Sequence, residues 1–324
     1  MYGGVDLGGT KIEVVVVDEQ HAVKGQARRA TPTTGGPPTV VEAIAEAVRE
    51  AASAAGIEPS SLGGIGVGSP GEVENGTVAQ ARNLPDWEDA FPLSSALSEQ
   101  LGAPVEVGND VGVAVDAEAA LGAGKPYASF LGVWWGTGVG GAFVIDGKRW
   151  LGRGAAGEIG HTVVKLDGAR CPCGRKGCLE AYAGRAAMEA HARKAVAEGK
   201  KTVLFELMEK RGRTRLTSGI WERALKEEDK LAERVMERAI KALGAGIASQ
   251  VNFLDVEAVV IGGGLGTRLG EPYAERIEQA MMPHLFVTDR PPAVHVAALG
   301  DLGGAIGATL LAAQAASRKA TISA

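Results

Sequence analysis

Three cysteines and one histidine lie close together in the sequence, in a pattern that is typical of a metal site. Cys171, Cys173 and Cys178 are the only cysteines of the chain, and His161 lies ten residues before the first of them. Three thiolates and one imidazole form a common ligand set for a tetrahedral structural zinc ion. Glycines between the thiols would let the backbone turn tightly around a single ion. The pattern therefore predicts a closed, structural zinc site.

Free thiols in a loop, or one disulfide with a cysteine left over, are the alternatives to zinc. Three cysteines cannot all pair within one chain, and no other feature of the sequence indicates a secreted protein. The zinc interpretation is therefore favoured. The ion would hold a loop with Glu158 before it and Glu180 after it, so that two carboxylates would lie beside the metal site.

Asp110 is the best candidate for a general base. It follows an apolar strand predicted over residues 104–107 and begins an Ala- and Val-rich helix that reaches about Leu121. An aspartate in this place can also be no more than a helix N-cap. In open α/β sheets, however, ligands bind at the carboxyl ends of the strands. This position favours a catalytic role for Asp110.

A strand, a Gly/Thr turn and a second strand occur twice, once near the start of the chain and again after residue 129. The first copy turns at Gly8, Gly9 and Thr10, and the second at Thr137 and Gly138. Such turns offer backbone N–H groups and a hydroxyl to phosphate oxygens. A single Gly-Gly turn is more often only a hairpin, but its repetition favours phosphate binding. It also predicts two lobes of like topology that face each other across an active-site cleft.

Two residues next to the first turn could take part in phosphate binding. Asp6 could hold Mg²⁺ through water, since this ion commonly binds one or two carboxylates together with phosphates. Lys11 would supply a counter-charge. The turn is neither a Walker A loop nor a dinucleotide fingerprint, because both need a helix directly after the glycines.

Further turns after predicted strands are less specific. They are Ser69-Pro70-Gly71, after a strand at 65–68, and Gly262-Gly263-Gly264, after a strand at 256–261. The glycines either are purely structural or let a polyhydroxylated ligand touch the main chain, and the local sequence leaves both open. Asn83 lies in another turn, where an asparagine usually caps its own backbone.

Composition excludes several classes of protein. The chain of 324 residues has a net charge of −5 and no basic patch, so nucleic-acid binding is not expected. No apolar run reaches the roughly 18 residues that a membrane span needs. The first residues enter a strand pattern and do not resemble a signal peptide. We therefore expect a soluble, cytoplasmic α/β protein, and we expect it to form a homodimer or homotetramer.

The remaining pattern completes a two-lobed α/β arrangement. Helices are predicted over residues 40–56, 92–101, 186–198, 231–251 and 305–316, and further strands over 12–17, 23–30, 130–135, 142–145 and 294–298. Asp146-Gly147 predicts a type I′ hairpin turn, and the charged segment 202–213 is expected at the surface. We place an N-terminal lobe at 1–120, to which a closing helix at 304–324 returns, and a C-terminal lobe with the zinc site at 121–303.

Together these segments resemble the ROK family of sugar kinases and related repressors. The resemblance covers essentially the whole chain and lies in DLGGTK at 6–11, GSPG at 68–71, RNLPDW at 82–87, GND at 108–110, GTGVGG at 136–141, GEIGH at 157–161, CPCGRKGCLE at 171–180 and GGG at 262–264. The cysteine segment with GEIGH before it is highly specific, whereas the glycine loops alone would be weak. The resemblance implies the two-lobed actin-like ATPase (ribonuclease H-like) fold.

The resemblance also implies a role for each matching residue. ATP would be bound by Asp6, Gly8, Gly9, Thr10, Lys11, Thr137, Gly138, Gly262, Gly263 and Gly264. The sugar would be bound by Ser69, Pro70, Gly71, Asn83, Asn109, Asp110, Glu158, His161 and Glu180. Asp110 would be the catalytic base, and His161 with the three cysteines would bind zinc.

The activity that the resemblance implies is ATP-dependent phosphorylation of a hexose, with glucose as the expected acceptor. Alternatives of the same class are kinases for N-acetylglucosamine, N-acetylmannosamine, mannose or fructose, and polyphosphate is an alternative donor. A sugar-sensing repressor is not expected, since the first hairpin begins at residue 2 and leaves no room for a preceding helix-turn-helix domain. A silent sugar-binding protein would lack turnover with ATP. Two departures from the family pattern, GGAF at 140–143 and LEAYAGR at 179–185, could alter the sugar pocket.

Overall fold

Two five-stranded sheets form the framework of the protein. The computed structural model describes residues 1–81 and 83–322. The chain divides into two units, one of Met1–Gly122 with Asp301–Ala324 and one of Ala123–Gly300.

The strands and helices alternate along the chain. The strands are β1 (Tyr2–Leu7), β2 (Lys11–Val17), β3 (Val23–Ala30), β4 (Ile65–Ser69), β5 (Glu72–Glu74), β6 (Thr77–Ala79), β7 (Val105–Asn109), β8 (Phe130–Trp135), β9 (Val139–Ile145), β10 (Lys148–Trp150), β11 (Ala258–Gly262) and β12 (Ala293–Val296). The helices are α1 (Gly36–Ala54), α2 (Leu93–Leu101), α3 (Asp110–Leu121), α4 (Glu180–Ala183), α5 (Arg185–Ala197), α6 (Leu204–Lys210), α7 (Ser218–Lys226), α8 (Lys230–Leu254), α9 (Gly263–Leu269), α10 (Glu271–Met281) and α11 (Gly303–Ile322). Single 3₁₀ turns lie at Pro59–Ser61, Ile159–His161, Met282–His284 and Gly300–Leu302.

The sheets of the two units share one topology. The strand order is β3-β2-β1-β4-β7 in the first unit and β10-β9-β8-β11-β12 in the second. In each sheet the first three strands form an antiparallel meander, and the last two run parallel to its first strand. The two units therefore have the like topology that the repeated strand–turn–strand pattern predicts.

The first sheet is covered on both faces. Strand β2 has the sequence KIEVVVV and is almost entirely buried, which is typical of a strand with helices on both sides. Helices α1 and α11 both pack against it. Helix α11 approaches β1 and β4 very closely, because a Cβ atom at Gly4 or Gly66 would lie within 2.0 Å of an α11 carbonyl oxygen. The last helix therefore belongs to the first unit.

The core of the second unit is built around α8. Its apolar residues recur at helical spacing, and Leu231, Val235, Leu243 and Ile247 are buried. Asp229 caps the helix, accepting hydrogen bonds from two amides of the first turn. The side chains of α8 pack in one cluster with those of β8, β11 and the helices around them.

The elements depart from the sequence-based prediction in several places. Segment 202–213 was expected at the surface, which is wrong for part of it: α6 buries Leu204 and Met208. These two residues are four apart and so lie on one face of a helix, which the surrounding charges obscure. Helices α7, α9 and α10 were not predicted. Helix α1 begins at Gly36, four residues before the predicted start at residue 40, because prolines are tolerated in a first helical turn.

The hairpin prediction at Asp146-Gly147 is confirmed. The φ angles of these two residues are 52° and 70°, as a type I′ turn requires. Among the described residues, no helix combines the length and the apolar character that crossing a membrane needs.

Candidate active site and metal centre

In the first unit, the predicted polar site residues lie at the carboxyl ends of three parallel strands. The pairing places Asp6 of β1 beside Gly68 of β4, and Ser69 of β4 beside Asn109 of β7. Asp110 follows at once as the first residue of α3. Adjacent parallel strands that end together form an open edge, and ligands collect at such edges. The site residues of this unit therefore meet because of sheet topology.

Asp110 is not the N-cap of its helix. The Oδ1 atom of Asn109 accepts the hydrogen bond from the Gly112 N–H at 3.1 Å, so that Asn109 is the cap. The Oδ1 atom of Asp110 accepts from the amide of Val111 at 2.8 Å, and its side chain is partly exposed. The alternative interpretation of Asp110 as a mere N-cap is thus wrong, and its role as a base stays a prediction.

Asp6 lies in an enclosed place. A Cβ atom at Gly304, in the first turn of α11, would lie 2.8 Å from its Cγ atom, so the helix terminus closes over the carboxylate. Burial is the main cause that raises the pKa of Asp6 to about 6; the charge of Asp110 raises it further, and Lys11 opposes both. At neutral pH the protein therefore holds two neighbouring carboxylates at an energetic cost, which a cation would relieve.

Asp6→Asn is expected to stabilise the protein at neutral pH while impairing its activity. Because the folded-state pKa of about 6 lies above the ordinary 3.8, ionisation of Asp6 removes stability as the pH rises through 6. The variant should recover at most roughly 3 kcal/mol at pH 7.5 and close to nothing below pH 4, since about 1.4 kcal/mol corresponds to each pKa unit. Thermal unfolding from pH 4 to 8 without added magnesium measures this. Asp18→Asn is the control, because hydrogen bonding from Lys24 lowers the pKa of Asp18 and its loss should destabilise. A gain that is independent of pH would contradict the assignment.

The first glycine hairpin, residues 8–11, is held by its own backbone and by Thr31. The Gly8 N–H donates to the carbonyl of Lys11 at 2.9 Å, and the Thr31 hydroxyl donates to the carbonyl of Gly8 at 2.6 Å. Gly9 and Thr10 are exposed at the tip. A Cβ atom at Gly9 would lie 2.7 Å from the carbonyl oxygen of Asn83, so the Asn83 turn packs against the hairpin. Arg82, the first residue of the RNLPDW motif, lies outside the described residues.

Sequence reasoning missed a buried carboxylate beside this hairpin. Glu13 is 6% exposed, and its Oε2 atom lies 3.0 Å from both Lys11 Nζ and Arg28 Nε. Glu13 also faces Asp6 across the antiparallel pair β1–β2. It therefore fixes Lys11, the predicted counter-charge, on the same strand pair as the predicted magnesium residue. The sequence did carry a signal for this residue, because Glu13 is a charged residue among the apolar residues of strand β2.

In the second unit, the second glycine hairpin, residues 136–138, lies against two other segments. The Glu180 Oε2 atom accepts from the Val139 N–H at 3.0 Å, so the carboxylate after the cysteines holds the hairpin. The Arg185 Nη2 atom donates to Thr137 Oγ1 at 2.7 Å. A Cβ atom at Gly136 would lie 3.9 Å from the amide nitrogen of Gly264. The hairpin and the glycines at the start of α9 are therefore neighbours, as their predicted common role requires.

The glycine turn at the end of β11 has a backbone that other residues do not fit. Gly263 has a φ of 79°, and a Cβ atom there would lie 2.8 Å from the backbone of Trp135. A Cβ atom at Gly262 would lie 2.8 Å from the ring of Trp134. Close packing against Trp134 and Trp135 therefore requires glycine at both positions.

His161, Cys171, Cys173 and Cys178 form a compact cluster, their ligand atoms all within 4.8 Å of one another. Cys171 Sγ lies 3.7 Å from His161 Nδ1, and Cys173 Sγ lies 3.7 Å from Cys178 Sγ. Tetrahedral zinc with the usual bond lengths separates two sulfurs by about 3.8 Å, and a sulfur from a nitrogen by about 3.6 Å. These residues therefore fit zinc, with His161 binding through Nδ1. The spacing is too long for a disulfide, and all three thiols are free.

The cluster also connects the metal loop to the rest of the second unit. Hydrogen bonding from the Arg175 amide is the main cause that lowers the pKa of Cys173 to about 6, which favours its thiolate, whereas burial raises the pKa of Cys171 and of Cys178. Glu180 Oε1 lies 4.0 Å from Cys171 Sγ, while its other oxygen accepts from the hairpin. On the opposite side, Glu158 Oε2 lies 4.0 Å from His161 Nε2, and the Glu158 side chain is 65% exposed. Glu158 therefore faces solvent from a loop that the cluster anchors.

Comparison with known proteins identifies the family. The sequence model of the ROK family matches residues 2–315. The chain belongs to the ROK family. The recognition from the sequence motifs is thereby confirmed.

Relatives within the ROK family include kinases for different sugars. A glucokinase of Halalkalibacterium halodurans is 35% identical over 97% of this chain and 95% of its own. An N-acetylgalactosamine kinase of Shewanella sp. is 32% identical over 96% of each chain. The crystal structure of a ROK family glucokinase from Streptomyces griseus, in complex with glucose and AMPPNP, is 32% identical, with a TM-score of 0.82 over 97% of this chain and 99% of that one. The predicted actin-like fold class is confirmed by this likeness.

The two departures from the ROK pattern, GGAF at 140–143 and LEAYAGR at 179–185, lie where the backbone packs closely against neighbouring segments. Ala142 of the GGAF segment is buried, and its Cα atom is 2.7 Å from where a Cβ of Gly157 would lie. Gly184 lies within the second departure, LEAYAGR at 179–185. A Cβ atom there would lie 2.9 Å from the Glu180 carbonyl oxygen and 3.3 Å from Gly138 Cα. The second departure therefore changes the contact between α5 and the second hairpin rather than the zinc ligands.

Proposed function

We propose that this protein transfers the γ-phosphoryl group of ATP to a hydroxyl of a hexose, with glucose as the preferred acceptor and the primary hydroxyl at C6 as the attacking group. The observation that carries the proposal is the pair Asp6 and Asp110 at the carboxyl edge of the first sheet, together with two glycine hairpins of the same design. Membership of the ROK family and the similarity to glucokinases support the choice of reaction.

Asp110 is the proposed general base. Phosphoryl transfer passes through a loose transition state, so the protein mainly positions the reactants and stabilises charge. The carboxylate of Asp110 would accept the proton of the sugar hydroxyl as that oxygen attacks in line. Because Asn109 takes over the capping of α3, Asp110 is not needed for the helix end and can serve the substrate.

Mg²⁺ and zinc would have different roles. Asp6 would hold Mg²⁺ through water, and that ion supplies charge neutralisation at the β- and γ-phosphates. The elevated pKa of Asp6 fits a carboxylate that gains from a cation. His161 and the three cysteines would hold zinc with four protein ligands, which leaves no open position for water activation. Their role is to fix the loop that carries Glu158.

Sugar recognition is proposed to involve Glu158, with Asn83, Asn109 and the turn at residues 69–71. Glu158 is exposed, and a carboxylate accepts hydrogen bonds from ring hydroxyls with the added strength of its charge. His161 Nε2 lies on the same side as the Glu158 carboxylate, so zinc binding through Nδ1 would also orient the ring nitrogen that can face the sugar. Glu180, whose oxygens face the hairpin and Cys171, would act mainly by supporting both.

Glu158→Gln is expected to raise KM for the sugar by roughly 10- to 100-fold, since a hydrogen bond to a charged group is worth about 1.5–3 kcal/mol. The KM for ATP and the zinc content should stay unchanged. Steady-state kinetics with each substrate varied in turn measures the effect. Glu206→Gln removes another exposed charge, on α6, and serves as the control. A sugar KM equal to that of the wild type would remove Glu158 from the site.

A coupled assay of ADP release, across glucose, mannose, fructose and the N-acetylhexosamines, tests the proposed function. We expect the highest kcat/KM with glucose and ATP. An N-acetylhexosamine as the best substrate would favour the second candidate, which the 32% identity to an N-acetylgalactosamine kinase supports. The proposal of a sugar kinase would be overturned if no sugar led to release of ADP from ATP and if polyphosphate also produced no sugar phosphate.

A further inference from the structure

Arg185 places a positive charge directly on the second hairpin. It is the first residue of α5, and its backbone N–H donates to the carbonyl of Gly136 at 3.1 Å. Its Nη2 atom donates to Thr137 Oγ1 at 2.7 Å. The next amide of the helix, that of Ala186, donates to the carbonyl of Thr137 at 3.0 Å. Backbone and side chain therefore both fix this arginine to the hairpin.

The same guanidinium reaches toward the glycine turn. Arg185 Nη1 lies 3.4 Å from Ser218 Oγ, at the start of α7. Ser218 Oγ would lie 3.6 Å from a Cβ atom at Gly264. One guanidinium, two hydroxyls and the backbone of two glycine segments thus surround the same region of the second unit.

The charge of Arg185 is not balanced by its surroundings. Buried Glu189 lies one turn further along α5, but its oxygens accept from Arg193 at 2.8 Å, Arg215 at 3.1 Å and the Leu216 N–H at 2.9 Å. Among the described residues, no carboxylate forms an ion pair with Arg185. Burial, and then the charge of Arg215, lower the pKa of Arg185 from its ordinary value, and the opposite charge of Glu189 offsets only part of this. An unpaired, partly buried cation is costly unless a ligand brings the opposite charge.

We propose that Arg185 is a phosphate-binding residue of the nucleotide site and contacts a phosphate that remains in ADP after transfer. This inference rests on the proposed function. A guanidinium has five N–H donors in a planar fork and matches phosphate oxygens, so two donors can hold Thr137 and Ser218 while others bind the ligand. The Thr137 hydroxyl, which accepts from Arg185, directs its own hydrogen toward the same phosphate. We assign a phosphate that remains in ADP because Arg185 belongs to the second unit, whereas Asp6 and Asp110, where the γ-phosphoryl group would be transferred, belong to the first.

Calorimetry with Mg-ADP, AMP and adenosine on Arg185→Gln tests the proposal. We expect the Kd of Mg-ADP to rise by roughly 10- to 100-fold, as for loss of a hydrogen bond between charged groups. The Kd values of adenosine and of glucose should not change, and AMP shows whether the α- or the β-phosphate is contacted. Arg185→Lys should recover part of the affinity, since it retains the charge but not the fork. Lys194→Gln, which removes an exposed charge from the same helix, is the matched control.

A merely structural role of Arg185 predicts other results. If the arginine only orients Thr137, Thr137→Val with Arg185→Gln should bind Mg-ADP no more weakly than Thr137→Val alone. That outcome overturns the proposal, as does equal weakening of ADP, adenosine and glucose, or a Kd for Mg-ADP within twofold of the wild type. If one of these results is found while the wild type still releases ADP in the presence of sugar, the inference about Arg185 is wrong and the proposed function still holds. A wild type that binds no Mg-ADP removes both.

Discussion

Asp110→Asn is expected to lower kcat by roughly 10²- to 10⁴-fold, the usual contribution of a general base. The amide has the shape of the carboxylate but cannot take up a proton. Because Asn109 caps α3, the substitution should leave the helix and the strand end intact. The Kd of glucose should therefore change little. Kinetics and calorimetry on the same preparation separate the two effects.

The pH dependence of kcat/KM at acidic pH gives a second test of Asp110 as the general base. The wild-type kcat/KM should fall at low pH as Asp110 and Asp6 become protonated, and in the residual rate of Asp110→Asn only the part that comes from Asp6 should remain. The Asp110 charge also raises the pKa of Asp6, so the variant should ionise Asp6 at lower pH. Asp89→Asn, at an exposed position of the same unit, is the control. Turnover within threefold of the wild type would exclude Asp110 as the base.

Cys173→Ser is expected to abolish zinc binding, from one ion per chain to almost none, and to destabilise the second unit. Metal binding is coupled to folding of the site, so loss of a ligand should cost several kcal/mol and lower Tm by roughly 10 °C. The sugar KM should rise, because Glu158 is held by the loop that the ion anchors. Elemental analysis of protein purified without added metal, followed by thermal unfolding, measures both quantities.

The cysteine prediction has a control within the same loop. Lys176→Gln changes an exposed residue between the ligands and should keep the zinc and the Tm. Zinc should also leave the wild type as the pH falls, because protons compete for the thiolates. A wild type that contains no metal, yet is fully active and as stable as after zinc addition, would contradict the structural role.

Sequence patterns were sufficient wherever the chemistry lies in neighbouring residues. The proposed zinc ligands come from one short segment, and their residue types with intervening glycines predicted a cluster that the structure shows. The Asp146-Gly147 turn likewise follows from the φ angles that these residue types allow. The two strand–turn–strand patterns predicted two sheets of like topology for the same reason, because a hairpin is a local structure.

The sequence by itself thus determined the family, the fold class, the cluster of one histidine and three cysteines, and the strand ends that carry Asp6 and Asp110. Tertiary structure alone decided which distant groups meet. Arg185 reaches Thr137 across 48 positions of sequence, Glu13 is paired by strand register with Lys11 and Arg28, and Gly304 closes over Asp6 from the other end of the chain. Such contacts depend on which strands are adjacent and how closely a helix packs. The type of a single residue predicts neither strand adjacency nor helix packing, because the same arginine or glycine could equally lie on an exposed surface.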